Sequence, residues 1–206
     1  MIEILHNLLQ TAGKLSVELL IVGALFFAIE KIRPAEKKTP FIKSDSKEEL
    51  GLAFLNTTLC TPLFHAAIAI FLLGTVKEFI PYQIFASQLT SLPVILQILA
   101  ACFIMDFSTY WRHRTTHRVK FLWPFHSIHH AAERLNWLTA MRLHPIDIFM
   151  ATLFDVFVLH IFGFDAAGIV FAVLTIKLFN YFTHANIDLK FAKPIRYIFV
   201  SPNFHR

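Results

Sequence analysis

The sequence predicts an all-α integral membrane protein with four to five transmembrane helices and a histidine-rich cap on the cytoplasmic side. Three observations carry that prediction. First, 56% of the 206 residues are hydrophobic and the mean hydropathy is +0.57, too apolar for an ordinary soluble domain. Second, apolar runs near the ~20 residues needed to cross a bilayer recur along the chain. Third, lysine and arginine alternate in density, with six from Lys31 to Glu49, six from Arg112 to Arg142 and four from Lys190 to Arg206. The segment from Gly74 to Leu92 holds one, and residues 163–165 hold none. Five alternating spans put every rich segment on one side, which the positive-inside rule makes cytoplasmic. The net charge of +5 is explained by this orientation, because the basic residues form no aromatic-interleaved patch of the kind that binds nucleic acid.

The chain reads as one membrane domain, residues 1–206, with N-terminal spans in 1–91 and a histidine-rich region in 92–206. The first span is expected from Leu15 to Ile32. The polar segment that follows to Glu49, broken by Pro34 and Pro40, reads as a loop with a short surface helix and no chemistry. A second span runs from Gly51 to Leu73, with Pro62 as a kink and His65 as a hydrogen-bonded packing residue. The stretch from Phe79 to Leu89 suits the membrane interface. A third span begins near Pro93 and continues without a stop into a histidine group. The fourth runs from Pro145 to Phe162, Gly163 to Asp165 make a short turn, and the fifth runs from Ala166 to Phe182. The basic, amphipathic tail is expected on the membrane surface. Cys60 and Cys102 lie in apolar segments without metal or disulfide spacing and read as packing residues.

Histidine spacing is the functional signal. Between Asp106 and His144 lie six of the eleven histidines, five of them grouped as His113 with His117, and His126 with His129 and His130. Residues three and four apart share a helix face, so each group aims its imidazoles at a common point. Asp106 and Tyr110 continue the stripe of His113 and His117, placed to orient a ligand histidine. With His144, His184 and His205 on the same side, the candidates are too many for one four-coordinate site and suit two metals. Imidazole alone does not choose among zinc, iron, copper and nickel.

Together, D-x-x-x-Y-x-x-H-R-x-x-H from Asp106, H-x-x-H-H from His126, R-x-H-P from Arg142, H-x-N from His184 and S-P-x-x-H-R from Ser201 resemble the fatty acid hydroxylase superfamily, which includes sterol desaturases and hydroxylases. The resemblance covers about Leu92 to Arg206, is closest in flavour to the bacterial sterol desaturase-like members, and is also similar to the alkylglycerol monooxygenases. It implies a membrane enzyme whose two histidine-bound iron ions activate dioxygen to hydroxylate or desaturate a lipid. It carries ligand roles to His113, His117, His126, His129, His130 and His205, and extends them to His184 and His144. Asp106 and Tyr110 would support the ligands, while Asn136 and Arg142 would hydrogen-bond ligands or a lipid headgroup. The family's last box reads H-R-x-H-H whereas this sequence stops at His205-Arg206, so the polypeptide as written is expected to bind metal incompletely and turn over little.

No GxGxxG, flavin or haem-attachment signature occurs, so electrons are expected from a small carrier and its reductase docking on the basic face. The lipid substrate is expected to enter from the bilayer. Two other classes compete. A zinc-dependent membrane hydrolase would need Glu133 as its base, and a metal-ion transporter would need deep groups, of which only His65 and Asp155 qualify.

Overall fold

The computed structural model describes residues 2–71, 85, 88–89, 91–164 and 166–206, and among these the chain is helical with no strand. Helix α1 spans Ile2–Ile32. A coil leads to α2, Ser46–Leu55, which passes through a π turn at Asn56–Cys60 into α3, Thr61–Phe71. Then come α4 (Val94–Arg118), α5 (Trp123–His130), a 3₁₀ turn at Trp137–Met141, α6 (Pro145–Phe162), α7 (Ala166–His184), a second 3₁₀ turn at Ile195–Tyr197 and α8 (Pro202–His205).

Local chemistry explains the punctuation. Pro93 and Pro145 stand at the starts of α4 and α6, where a missing N–H costs nothing. Gly163, at φ 64°, supplies the left-handed turn that lets α6 stop and α7 begin. Pro62 cannot donate to Thr58 and crowds that carbonyl, and the π turn immediately before it absorbs the mismatch. α1 and α2 each begin earlier than the apolar run within them. The expected interfacial stretch from Phe79 lies, apart from residues 85 and 88–89, outside the described residues.

Two helical segments, Ser46–Ile68 and Val94–Arg118, are long and apolar enough to cross a membrane, and less than a third of either is buried inside the protein. A core helix of a soluble protein would be mostly buried. Along α4, Ile95, Leu99, Phe103 and Phe107 are each more than half exposed, a contiguous apolar face that water would not tolerate and lipid would.

The described chain forms two compact units. One comprises Met1–Thr58, Ser127–His144 and Phe179–Arg206; the other comprises Leu59–His126 and Pro145–Leu178. In the first, Trp137 is the centre of the core. It stacks on Phe26 with centroids 6.3 Å apart and meets the edge of Tyr181 at 5.8 Å. Such aromatic pairs contribute beyond their buried area. Gly23 permits this approach, because a Cβ there would stand 3.2 Å from Trp137 Cζ2. Around the tryptophan runs a buried polar frame. Glu30 Oε1 accepts the backbone N–H of Trp137 at 3.0 Å and of Asn186 at 2.9 Å. Asn136 caps the 3₁₀ turn through a capping box with Thr139, and its Nδ2 donates to the Phe41 carbonyl at 2.9 Å. In the second unit α6 packs on both α3 and α4, and the small, fully buried Ala101 and Ala172 allow close helix approach around Met105 and Phe164.

Candidate metal centres

In the unit containing α4, His113 and His117 lie one turn apart with Nε2 atoms separated by 3.0 Å. Pro124 in the first turn of α5 brings His126 against both, with ring centroids 4.8 and 4.9 Å away. The ring nitrogens of these three residues lie within 4.8 Å of one another. His126 is buried and its Nδ1 lies 3.3 Å from Oδ1 of the equally buried Asp147 in the first turn of α6. A carboxylate accepts, so the proton of this bond sits on Nδ1. This is the orientation in which carboxylates hold metal-ligating imidazoles. The second carboxylate oxygen of Asp147 is buried without a hydrogen-bond partner among the described residues.

In the other unit His129, His184 and His205 converge from α5, α7 and α8, their ring nitrogens again within 4.8 Å. The Nδ1 of His129 donates to the Arg142 carbonyl at 3.2 Å, and that of His184 to the Asn180 carbonyl one turn back at 2.7 Å. Both protons are therefore on Nδ1. Yet the two Nε2 atoms face each other at 2.9 Å, and His205 Nε2 stands 3.0 Å from that of His184. Burial, with His205 adding to it, pushes His184 down to about 3, so its ring is neutral. With Nδ1 of His129 and of His184 turned to carbonyls, their Nε2 atoms converge with that of His205, and three convergent imidazole nitrogens fit a divalent metal ion.

The tail that delivers His205 is tied by Asn203. Its Oδ1 accepts the Leu189 N–H at 2.6 Å and its Nδ2 donates to Asp188 Oδ1 at 2.9 Å. Beside the cluster lies a polar cavity of about 310 Å³, bordered by His130, Glu36, Glu133 and Arg206 as well as by the three histidines. His130, the last residue of α5, also packs against His129 with ring centroids 5.2 Å apart.

Seven of the eight histidines singled out by spacing and resemblance thus stand in or beside these clusters, whereas the half-buried His144 belongs to neither. The supporting residues are distributed otherwise than expected. Tyr110 is exposed and its hydroxyl accepts from Arg114 at 2.6 Å rather than meeting an imidazole among the described residues, and Asp106 is exposed on the same helix. Asp147 does that work for His126; its signal was an acid in the first turn of a largely apolar helix. Asn136 is fully buried as a cap, and it is the carbonyl of Arg142, not its guanidinium, that meets a ligand histidine. His184 is buried. His65 is exposed, and its Nδ1 donates to the Thr61 carbonyl of its own helix at 2.8 Å.

Helical segments of membrane length joined to two convergent histidine clusters define a histidine-box membrane protein. The family model for fatty acid hydroxylase matches residues 98–206, more than half of the sequence, and the chain belongs to that family. It is 28% identical to an ornithine lipid hydroxylase of Rhizobium tropici over 114 residues, covering 55% of this chain and 34% of that protein. It is 38% identical to the human alkylglycerol monooxygenase over 50 residues, 24% of this chain and 11% of the relative. With the alkylglycerol monooxygenase of Caenorhabditis elegans it shares 29% identity over 106 residues, 50% of this chain and 20% of the relative. The chain therefore spans about a third or less of the length of the curated relatives it matches. No solved structure matches it.

Proposed function

We propose that this chain carries the metal-binding region of a membrane-bound lipid oxygenase that inserts oxygen into an unactivated C–H bond of an amphipathic lipid. The observation that carries the reading is the convergence of three imidazole Nε2 atoms, at 2.9 and 3.0 Å, in a largely buried cluster drawn from three elements, with two of the Nδ1 atoms committed to carbonyls. The names of the relatives, a lipid hydroxylase and two monooxygenases, favour hydroxylation over desaturation.

Two iron ions are the proposed cofactors, with zinc as a substitute that imidazole sites readily accept. Bound iron would supply dioxygen activation for attack on the C–H bond. The chain's own part is to present oriented imidazoles. Asp147 turns His126, and the carbonyls of Arg142 and Asn180 turn His129 and His184, so that each ligand atom is set before metal arrives and little is lost to reorganisation. We further propose four to five spans with the histidine clusters on the cytoplasmic face, where an external carrier and its reductase deliver electrons to the basic segments. Lipid enters sideways from the bilayer.

Glu133, which borders the same cavity as His129, His184 and His205, keeps a zinc hydrolase as the competing reading. Metal analysis of full-length protein from iron-supplemented cells, coupled to oxygen uptake with added lipid and a chemical reductant, separates the two. Iron with lipid-dependent oxygen uptake is the expected result. Lipid ester or amide cleavage without oxygen uptake would reject the oxygenase in favour of the hydrolase.

A further inference from the structure

The polar segment before α2 has no histidine and no place among the ligands, yet it reaches the His129 cluster through a chain of charges. Arg142 grips the end of α5 twice. Its carbonyl accepts His129 Nδ1–H at 3.2 Å, and its Nε donates at 3.0 Å to the carbonyl of Ile128 in the last turn of α5, which also accepts the Ala131 N–H. Its Nη1 is held by Asp45 Oδ2 at 3.0 Å. Lys43, almost fully buried, stands 3.5 Å from the other Asp45 oxygen and donates to Glu49 Oε1 at 2.6 Å, Thr139 Oγ1 at 2.8 Å and the Arg134 carbonyl at 2.9 Å. Burying a Lys–Glu pair is a poor way to gain stability, because desolvation offsets most of the attraction. What it fixes is geometry. The lysine has its three protons committed to three groups, two of them in the 134–142 segment that ends in the Arg142 carbonyl.

We propose that Asp45, Lys43 and Glu49 form a positioning relay for the His129 centre, fixing through Arg142 the tautomer and the direction of the His129 ring. The inference rests on reading this cluster as a metal centre, but its first consequence, a locked His129 ring, exists without metal.

The test uses the purified full chain in detergent micelles with two readouts. In metal-free protein, ¹⁵N shifts should report His129 as the Nδ1–H tautomer, and Asp45→Asn should convert it to a mixture. In cobalt(II) titrations Asp45→Asn should weaken binding about 10- to 100-fold, the range for loss of a group that orients a ligand. Asp45→Glu should recover most of the loss, and the exposed neighbour Lys47→Gln should match the parent. Asp45 is partly exposed and Asn is isosteric; should that variant nonetheless misfold by circular dichroism, Glu49→Gln breaks the relay at its far end and should shift both readouts the same way. An Asp45→Asn protein with the parent's cobalt affinity and tautomer would overturn the relay. A parent that binds no cobalt while its His129 tautomer still answers to Asp45→Asn would sink the metal reading and leave the relay standing.

Discussion

The two histidine clusters orient their rings by different means. His126 is turned by the carboxylate of Asp147, a charged group sited in the first turn of α6, and a negative charge there also strengthens the ring as a donor to metal. His129 and His184 are turned by backbone carbonyls. A carbonyl brings no net charge, and that of Arg142 lies in an irregular segment that must itself be held. The first arrangement depends on one side chain; the second depends on a network of buried partners from Lys43 to Thr139. The His126 cluster should therefore be sensitive to a single substitution, and the His129 cluster to packing remote from it.

Removing a ligand is the largest perturbation. His184 stands between His129 and His205, so His184→Ala should abolish metal binding at that centre, read as loss of about half the metal from protein loaded with two ions. His126→Ala should do the same for the other. If either variant kept full stoichiometry with unchanged spectra, the corresponding cluster would not be a metal site. Next in size is Asp147→Asn, which keeps a possible acceptor but removes the charge. It should lower metal affinity of the His113, His117 and His126 cluster about 10- to 100-fold while leaving the His129 cluster at parent affinity. A loss shared equally by both centres would erase the distinction drawn here.

How far the sequence carries one toward these centres depends on the range of the interaction. The pairing of His113 with His117 follows from an i,i+4 step on one helix, and the α6–α7 boundary follows from a glycine between two apolar runs; both are local and both were legible. Helices α6 and α7 keep nearly the bounds expected of the fourth and fifth apolar runs. What could not be read was partnership across long separations. Asp106 and Tyr110 share the stripe of His113, so helical geometry favoured them, but in the fold they are exposed and Tyr110 is engaged by Arg114. Asp147 has no periodic relation to His126. The segment from Lys31 to Glu49 looked like a solvated loop because its composition is polar, yet Lys43 and Glu49 are buried against residues about ninety positions later. Charge density signals exposure only until a partner charge is buried with it.

Packing offers a smaller, sharper test of the same contrast. Gly23 faces Trp137, whose segment leads to the Arg142 carbonyl, and a Cβ there already crowds the indole at 3.2 Å. Gly23→Val adds bulk that α1 and the tryptophan must accommodate together, at a cost of about 1–3 kcal/mol by the usual range for overpacking. Thermal melting of the solubilised protein should show that loss, and cobalt affinity should fall at the His129 cluster alone. Equal melting temperatures would mean that Trp137 yields freely and does not brace the segment.

The smallest effect is expected at Tyr110. Its hydroxyl meets only Arg114 among the hydrogen bonds of α4, at the exposed face of the helix, so Tyr110→Phe removes one solvent-competed contact. Stability should change by less than about 0.5 kcal/mol, as for most surface substitutions, and metal affinity at His113, His117 and His126 should stay within experimental error. A tenfold fall in that affinity would return Tyr110 to the role its helical stripe suggests, and would mean that two groups rather than Asp147 alone set the imidazoles of that cluster.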